Sequence, residues 1–216
     1  MATSQTIGPG LGTSSTTAAN RVDVLGHRRA NAFLLQQSAP GVALPGVLGA
    51  NPVSGLGSMS YKINPFGAVL TRTPDIGAVI IASPSAITLT TSAAPSTNPR
   101  IDVIYVFQPL EDQGDSAGLP TVAVAVGTAA ASPVAPTVPA GALVLAQHTV
   151  APGDSTTTTT AGFTNLAADV SIATVIATLA ARVTALEARP RLYSSATDPA
   201  LAGTVADGSV WVQPGS

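Results

Sequence analysis

The chain has 216 residues, 45% of them hydrophobic, enough for one ordinary domain with appendages. Charged residues make up 9% and the formal net charge is −2, which excludes the clustered Lys and Arg of a nucleic-acid surface. There is no cysteine, so disulfides, thiolate metal sites and a cysteine nucleophile are excluded as well.

Residues 1–20, "MATSQTIGPGLGTSSTTAAN", are rich in Gly, Ser and Thr and carry no periodicity, the composition of an arm that is flexible or ordered by a partner. They have neither the basic start nor the apolar run of a secretory signal, so synthesis in a cytoplasm is expected. A short helix is predicted around "RRANAFLLQQ", ending before Pro40. From about Met59 to Val150 the apolar residues alternate with period two, the mark of strands with one buried face. "MSYKI" places Met59, Tyr61 and Ile63 on one face, "AITLT" does the same with Ile87 and Leu89, and "TVAVAVG" with Val122, Val124 and Val126. "RIDVIYVFQ" is apolar on both faces, as an interior strand is. Turn clusters at "INPFG", "TPDIG" and "STNPR" separate these runs, a spacing that predicts an antiparallel sandwich or barrel.

Between two such strands Pro133, Pro136 and Pro139 recur every third residue. Polyproline II has three residues per turn, so the spacing predicts a stiff extended strap, each proline having its φ already fixed. After the boundary "APGDSTTTTTAGFTN" the period becomes helical. Ile172, Ile176, Leu179, Val183 and Leu186 are spaced four, three, four, three, with Ile172, Leu179 and Leu186 at d and Ile176 and Val183 at a of a heptad. Arg182 then falls at g and Glu187 at e, the spacing that pairs charges between parallel chains. Asp169 and Arg189 suit the two ends of the helix dipole, and Pro190 ends the helix. Isoleucine at d argues against a plain dimer, and the expectation is a parallel trimer. No apolar run reaches the ~18–20 residues of a membrane span. The tail, with "SVWVQ" and the lone Trp211, is too short to fold alone, but three copies can pack about an axis.

Chemistry-bearing residues are sparse. His27 and His148 are the only histidines, and no nucleophile elbow accompanies them. His148 reads as a solvent-facing or sheet-packed strand residue and His27 as part of a surface basic cluster with Arg28 and Arg29. Glu111, Asp112 and Asp115 gather in "EDQGDSAG", whose spacing is not that of a calcium loop, so a solvated hairpin tip is expected. Arg100 and Asp102, two apart, share a strand face and read as a structural ion pair or as partners of a neighbouring chain. No catalytic residue, cofactor or metal site is expected.

Two motifs carry a resemblance. Asn98, Pro99, Arg100, Ile101 and Asp102 form an "NPRID" strand. Gly127, Thr128, Ala130, Ala131, Pro133, Ala135, Pro136, Pro139, Gly141 and Ala142 then follow a "GTxAAxPxAPxxPxGA" pattern before the next strand. Over residues 21–165 the chain resembles tail, baseplate and fibre proteins of long-tailed bacteriophages that infect actinobacteria. The resemblance implies a β-rich assembly domain in a virion appendage, trimeric and followed by a coiled-coil stalk. "FQPLEDQGDSAG" departs from the acidic connection such proteins carry, and no large receptor-binding head follows the stalk, so a connector or short fibre is expected rather than a host-binding tip.

Together these readings predict a mainly β chain: an N-terminal arm with a short helix and attachment loop (1–50), an antiparallel β-sandwich-like assembly domain (51–165), a short parallel trimeric coiled coil (166–189) and a small C-terminal β tip (190–216). The expected function is that of a non-enzymatic virion structural protein, made in the host cytoplasm. Its expected partners are its own copies and, through the N-terminal region, other virion proteins, with no nucleic acid or membrane. A capsid-surface fibre or decoration protein has the same modules. A carbohydrate-binding adhesin for the host envelope is the third reading, disfavoured by the 4% aromatic content.

Overall fold

The computed structural model describes residues 4–6, 24–158, 162–188, 192–194 and 210–212. Strand β1 is Ser4–Thr6 and helix α1 is Val24–Leu34. Three short strands follow, β2 (Gln37–Ala39), β3 (Val42–Ala43) and β4 (Gly46–Val47). Then come β5 (Val53–Gly55), β6 (Ser60–Ile63), β7 (Phe66–Thr71), β8 (Ala78–Ser83) and β9 (Ile87–Thr90). Strands β10 (Arg100–Phe107), β11 (Thr121–Val126), β12 (Leu143–Val150) and β13 (Phe163–Asn165) complete the strand-rich part. Helix α2 spans Ile172–Glu187, followed by β14 (Leu192–Ser194) and β15 (Val210–Val212).

The described chain is mainly β. Its first compact unit ends at Thr174 and contains a five-stranded sheet in the order β1-β11-β10-β12-β13. It also holds two three-stranded sheets, β4-β7-β8 and β5-β6-β9, and the pair β2-β3. Every strand pair in these sheets is antiparallel. The second unit, from Val175, contains the parallel pair β14-β15, with Leu192 opposite Val210.

Alternation in the sequence decides which residues fill the core. Tyr61 and Ile63 of β6, Ile87 and Leu89 of β9, and Val122 and Val124 of β11 are all buried, while Lys62, Thr88 and Thr90 face out. With Leu70, Ile81, Ile104, Val106 and Leu145 they form one apolar cluster drawn from the five-stranded and both three-stranded sheets. Each such side chain taken fully out of water contributes roughly 1.5–3 kcal/mol. In β10 the inward face is Asp102, Ile104 and Val106, with Arg100 at its start.

Strand β12 breaks its own alternation. The register against β10 slips between Ile104 and Tyr105, which face Ala146 and Val144, and Leu145 is the extra residue. Leu145 and Ala146 are both fully buried, and the Leu145 carbonyl accepts from Asn51 Nδ2 at 2.8 Å, the Leu166 amide at 3.0 Å and the Ala167 amide at 3.3 Å. Beyond the bulge the inward positions are Ala146, His148 and Val150.

The proline-spaced connection, 127–142, leaves β11 beside the start of β10 and enters β12 beside its end, because Asp102 faces Val126 and Val106 faces Leu143. It therefore returns along the length of β10, roughly 27 Å at strand rise, rather than across a sheet end. Among the described residues its backbone bonds lie at its two ends: Gly127 N donates to Ile101 O at 2.9 Å, Ala130 N to Pro99 O at 3.1 Å, and Ala142 N to Pro139 O at 3.0 Å. A Cβ on Gly127 would stand 2.3 Å from Ile101 O, so the strap starts with its backbone against β10. Pro133 and Pro136 are half-buried and Pro139 is exposed.

The first unit takes in more of the N-terminal part than the sequence suggested. Helix α1 begins at Val24, earlier than the predicted "RRANAFLLQQ", and buries Arg28, Asn31 and Ala32. Ala32 joins Ala43, Val69, Ala78 and Val170 in a second apolar cluster, so residues expected to be an attachment loop are part of the domain. Gly77, at φ +75°, allows the close approach of α1, since a Cβ there would meet the Arg28 backbone at 2.5 Å. Arg189, Pro190 and residues 195–209 lie outside the described residues.

Candidate functional site

Inside the first unit the chemistry-bearing side chains meet at one buried cluster. Arg100 Nε donates to Asp102 Oδ1 at 2.8 Å, pairing the two residues on the inward face of β10. Thr91 Oγ1 donates to Asp102 Oδ2 at 2.7 Å, and the Tyr61 hydroxyl donates to the same oxygen at 3.0 Å. That hydroxyl also lies 3.1 Å from His148 Nδ1. Its single proton goes to the carboxylate, the stronger acceptor, so Nδ1 of His148 supplies the hydrogen of this second bond. The Arg100 guanidinium reaches on to Ala93 O at 2.6 Å and Ser92 O at 2.7 Å, holding the chain that leads into β10.

Tyr61, Asp102 and His148 are fully buried and Arg100 is 4% exposed. The Tyr61 hydroxyl is held far above its ordinary acidity range by burial first, then by the Asp102 charge and hydrogen bond, with Arg100 opposing. His148 packs edge-on against Tyr61, and Phe163 packs at a tilt, its ring centroid 5.4 Å from that of His148 and 6.5 Å from that of Tyr61. With this burial the cluster acts as a polar lock between β6 and the residue that follows β9 on one side and β10 and β12 on the other. The sequence placed Arg100 and Asp102 correctly on one face but did not reveal Tyr61, Thr91 or His148 as their partners. Of the two expectations for His148, the structure shows the sheet-packed one and not the solvent-facing one, the extra residue at Leu145 turning it to the buried face.

A second set of charges fixes the 109–118 loop. Arg28, 1% exposed, donates through both terminal nitrogens to the Asp112 carboxylate. Arg72 donates to both Asp115 oxygens, at 2.8 and 3.0 Å, and the Leu110 amide adds a bond of 2.8 Å. These partners hold both carboxyls below their ordinary value, Asp112 through the Arg28 hydrogen bond first and Asp115 through that of Arg72. "EDQGDSAG" is thus the solvated tip of the β10-β11 hairpin, as expected, with Asp112 and Asp115 also stapled to Arg28 and Arg72, whereas Arg28 is buried rather than part of a surface basic cluster.

The predicted association residues stand on α2. Ile172, Ile176, Leu179, Val183 and Leu186 are 70, 60, 52, 51 and 57% exposed, and the helix buries none of its residues. Arg182 and Glu187 are exposed beside them. The segment that leads into the helix is held by the first unit. Val47 N donates to Ala168 O and Val170 N to Val47 O, both at 2.8 Å, and Val170 is buried. Asp169 Oδ1 accepts from the Gly49 amide at 3.0 Å and the Ser171 amide at 2.9 Å, and Oδ2 accepts from the Thr174 hydroxyl at 2.5 Å. These bonds, the Thr174 one foremost, lower its pKa from the ordinary 3.8 to about 2.

Among the described residues no group of three or more His, Cys, Asp or Glu is placed to hold a metal ion, and no helix is long and apolar enough to cross a membrane. No protein-family model, curated protein or solved structure matches the chain.

Proposed function

We propose that the chain is a non-enzymatic structural protein of a bacteriophage virion, a trimeric component of a tail, baseplate or short fibre that docks on other virion proteins. In this reading the three larger sheets form a β-sandwich-like assembly domain, α2 forms a parallel trimeric coiled coil, and β14-β15 belongs to a small tip. One observation carries it: five aliphatic side chains at a and d positions, each more than half exposed, line a helix that buries none of its own residues. An exposed seam of this regularity calls for an identical seam, since copies of one sequence present the same 3.5-residue repeat at the same height. Arg182 at g and Glu187 at e then face each other between neighbouring chains.

The mechanism is geometric. The seam sets the rotation axis, the Asp169 bonds fix where the helix starts relative to β4, and the polar lock keeps the domain in one shape. The weakly charged surface suits close docking on neighbouring proteins, with nothing to attract nucleic acid. Dissociating purified particles and probing head and tail fractions with an antibody against this chain tests the reading. The tail fraction should carry the protein. A head-only location would move it to the capsid-fibre class, and absence from particles would refute a virion role.

A further inference from the structure

Strand β1 is an appended edge strand. Ser4, Gln5 and Thr6 pair with Ala123, Val122 and Thr121, covering half of β11 and leaving Val124–Val126 beyond its reach on that side. Residues 7–23 separate β1 from α1, and at ~3.3 Å per extended residue that tether reaches about 55 Å, twice the length of β10. The first twenty residues carry no charged side chain, so identical arms do not repel one another. An exposed strand edge is a template for a strand from another chain, and exchange of identical elements between protomers reproduces the same contacts while linking the copies. When α2 holds three copies about one axis, the β11 edge of a neighbour lies at high effective concentration for each arm.

Building on the trimer proposed above, we propose that β1 is exchanged: each copy lays Ser4–Thr6 on the β11 edge of a neighbouring copy, in the register seen here. The partner surface is thus the Thr121–Ala123 edge, and its ligand is the N-terminal arm of a second copy. The exchange clasps the trimer at the end of the chain opposite the stalk in sequence.

The absence of cysteine makes the test clean. Thr6→Cys with Thr121→Cys, and separately Ser4→Cys with Ala123→Cys, place thiols at facing positions whose ~4.5–5.5 Å Cα separation suits a disulfide. After oxidation of the assembled full-length protein, non-reducing denaturing electrophoresis should show bands of two and three chains. Co-assembled Thr6→Cys and Thr121→Cys single variants should give two-chain bands. Thiols consumed with every band at one chain, while light scattering still gives a trimer, would overturn the exchange and leave the trimer standing. A native mass of one chain would overturn both. Free thiols in both double variants would overturn the arm's place on β11.

Discussion

Asp102 shows how one buried charge is held. Its two oxygens take three side-chain donors, from Arg100, Thr91 and Tyr61, and removing a member leaves the others buried without compensation. Tyr61→Phe should lower unfolding stability by about 1–3 kcal/mol, and Asp102→Ala, which strands the Arg100 charge, by about 3–5 kcal/mol, read from urea unfolding. Asp169 supplies a pH dependence. Its folded pKa, about 2, lies below its ordinary 3.8, so its stabilising contribution is complete above the ordinary value and lost as pH falls through about 2. Asp112 and Asp115 shift in the same direction. The urea midpoint should therefore fall between pH 4 and pH 2, and Asp169→Asn should show a smaller fall over that interval. An identical fall in the variant would mean that Asp169 holds nothing.

Whether an element could be read from the sequence depended on whether its determinants were local. Strands β6, β9 and β11 follow from alternation alone, because burial of one face imposes a period of two, and β10 from its apolar residues on both faces. Helix α2 follows from its a and d spacing. Strand β12 was read as a strand, but a bulge has no local signature, and one extra residue at Leu145 moved His148 to the other face. Arg28 was unreadable for a different reason: its partner Asp112 is 84 positions away, and a lone arginine beside His27 and Arg29 has the pattern of a surface. The proline spacing predicts a stiff strap, whereas the strap's return along β10 is a matter of sheet order. Pro133→Gly with Pro136→Gly should lower stability by about 0.4–1 kcal/mol per site through the unfolded chain's added freedom, measurable by thermal unfolding. In α2, Ile176→Asp with Leu179→Asp places charges in the seam. It should abolish association while far-ultraviolet circular dichroism keeps the β signal of the first unit.

At the scale of the whole molecule, the first unit and the α2 seam differ in how their apolar side chains are buried. The first unit closes its own core, with apolar side chains from three sheets in one cluster. The α2 seam has no such closure, and leaving five aliphatic side chains in water forfeits several kcal/mol per chain at ~25 cal/mol per Å². In the trimer proposed above, association would recover that burial, and three-fold symmetry would align the seams, the Arg182 and Glu187 pairs and the N-terminal arms in one operation. The most direct measurement is the native mass of the full-length protein by light scattering at micromolar concentration. Three times the 21.3 kDa chain mass is the predicted result. A stable species of one chain mass, with α2 helical and its aliphatic residues protected from solvent, would contradict it.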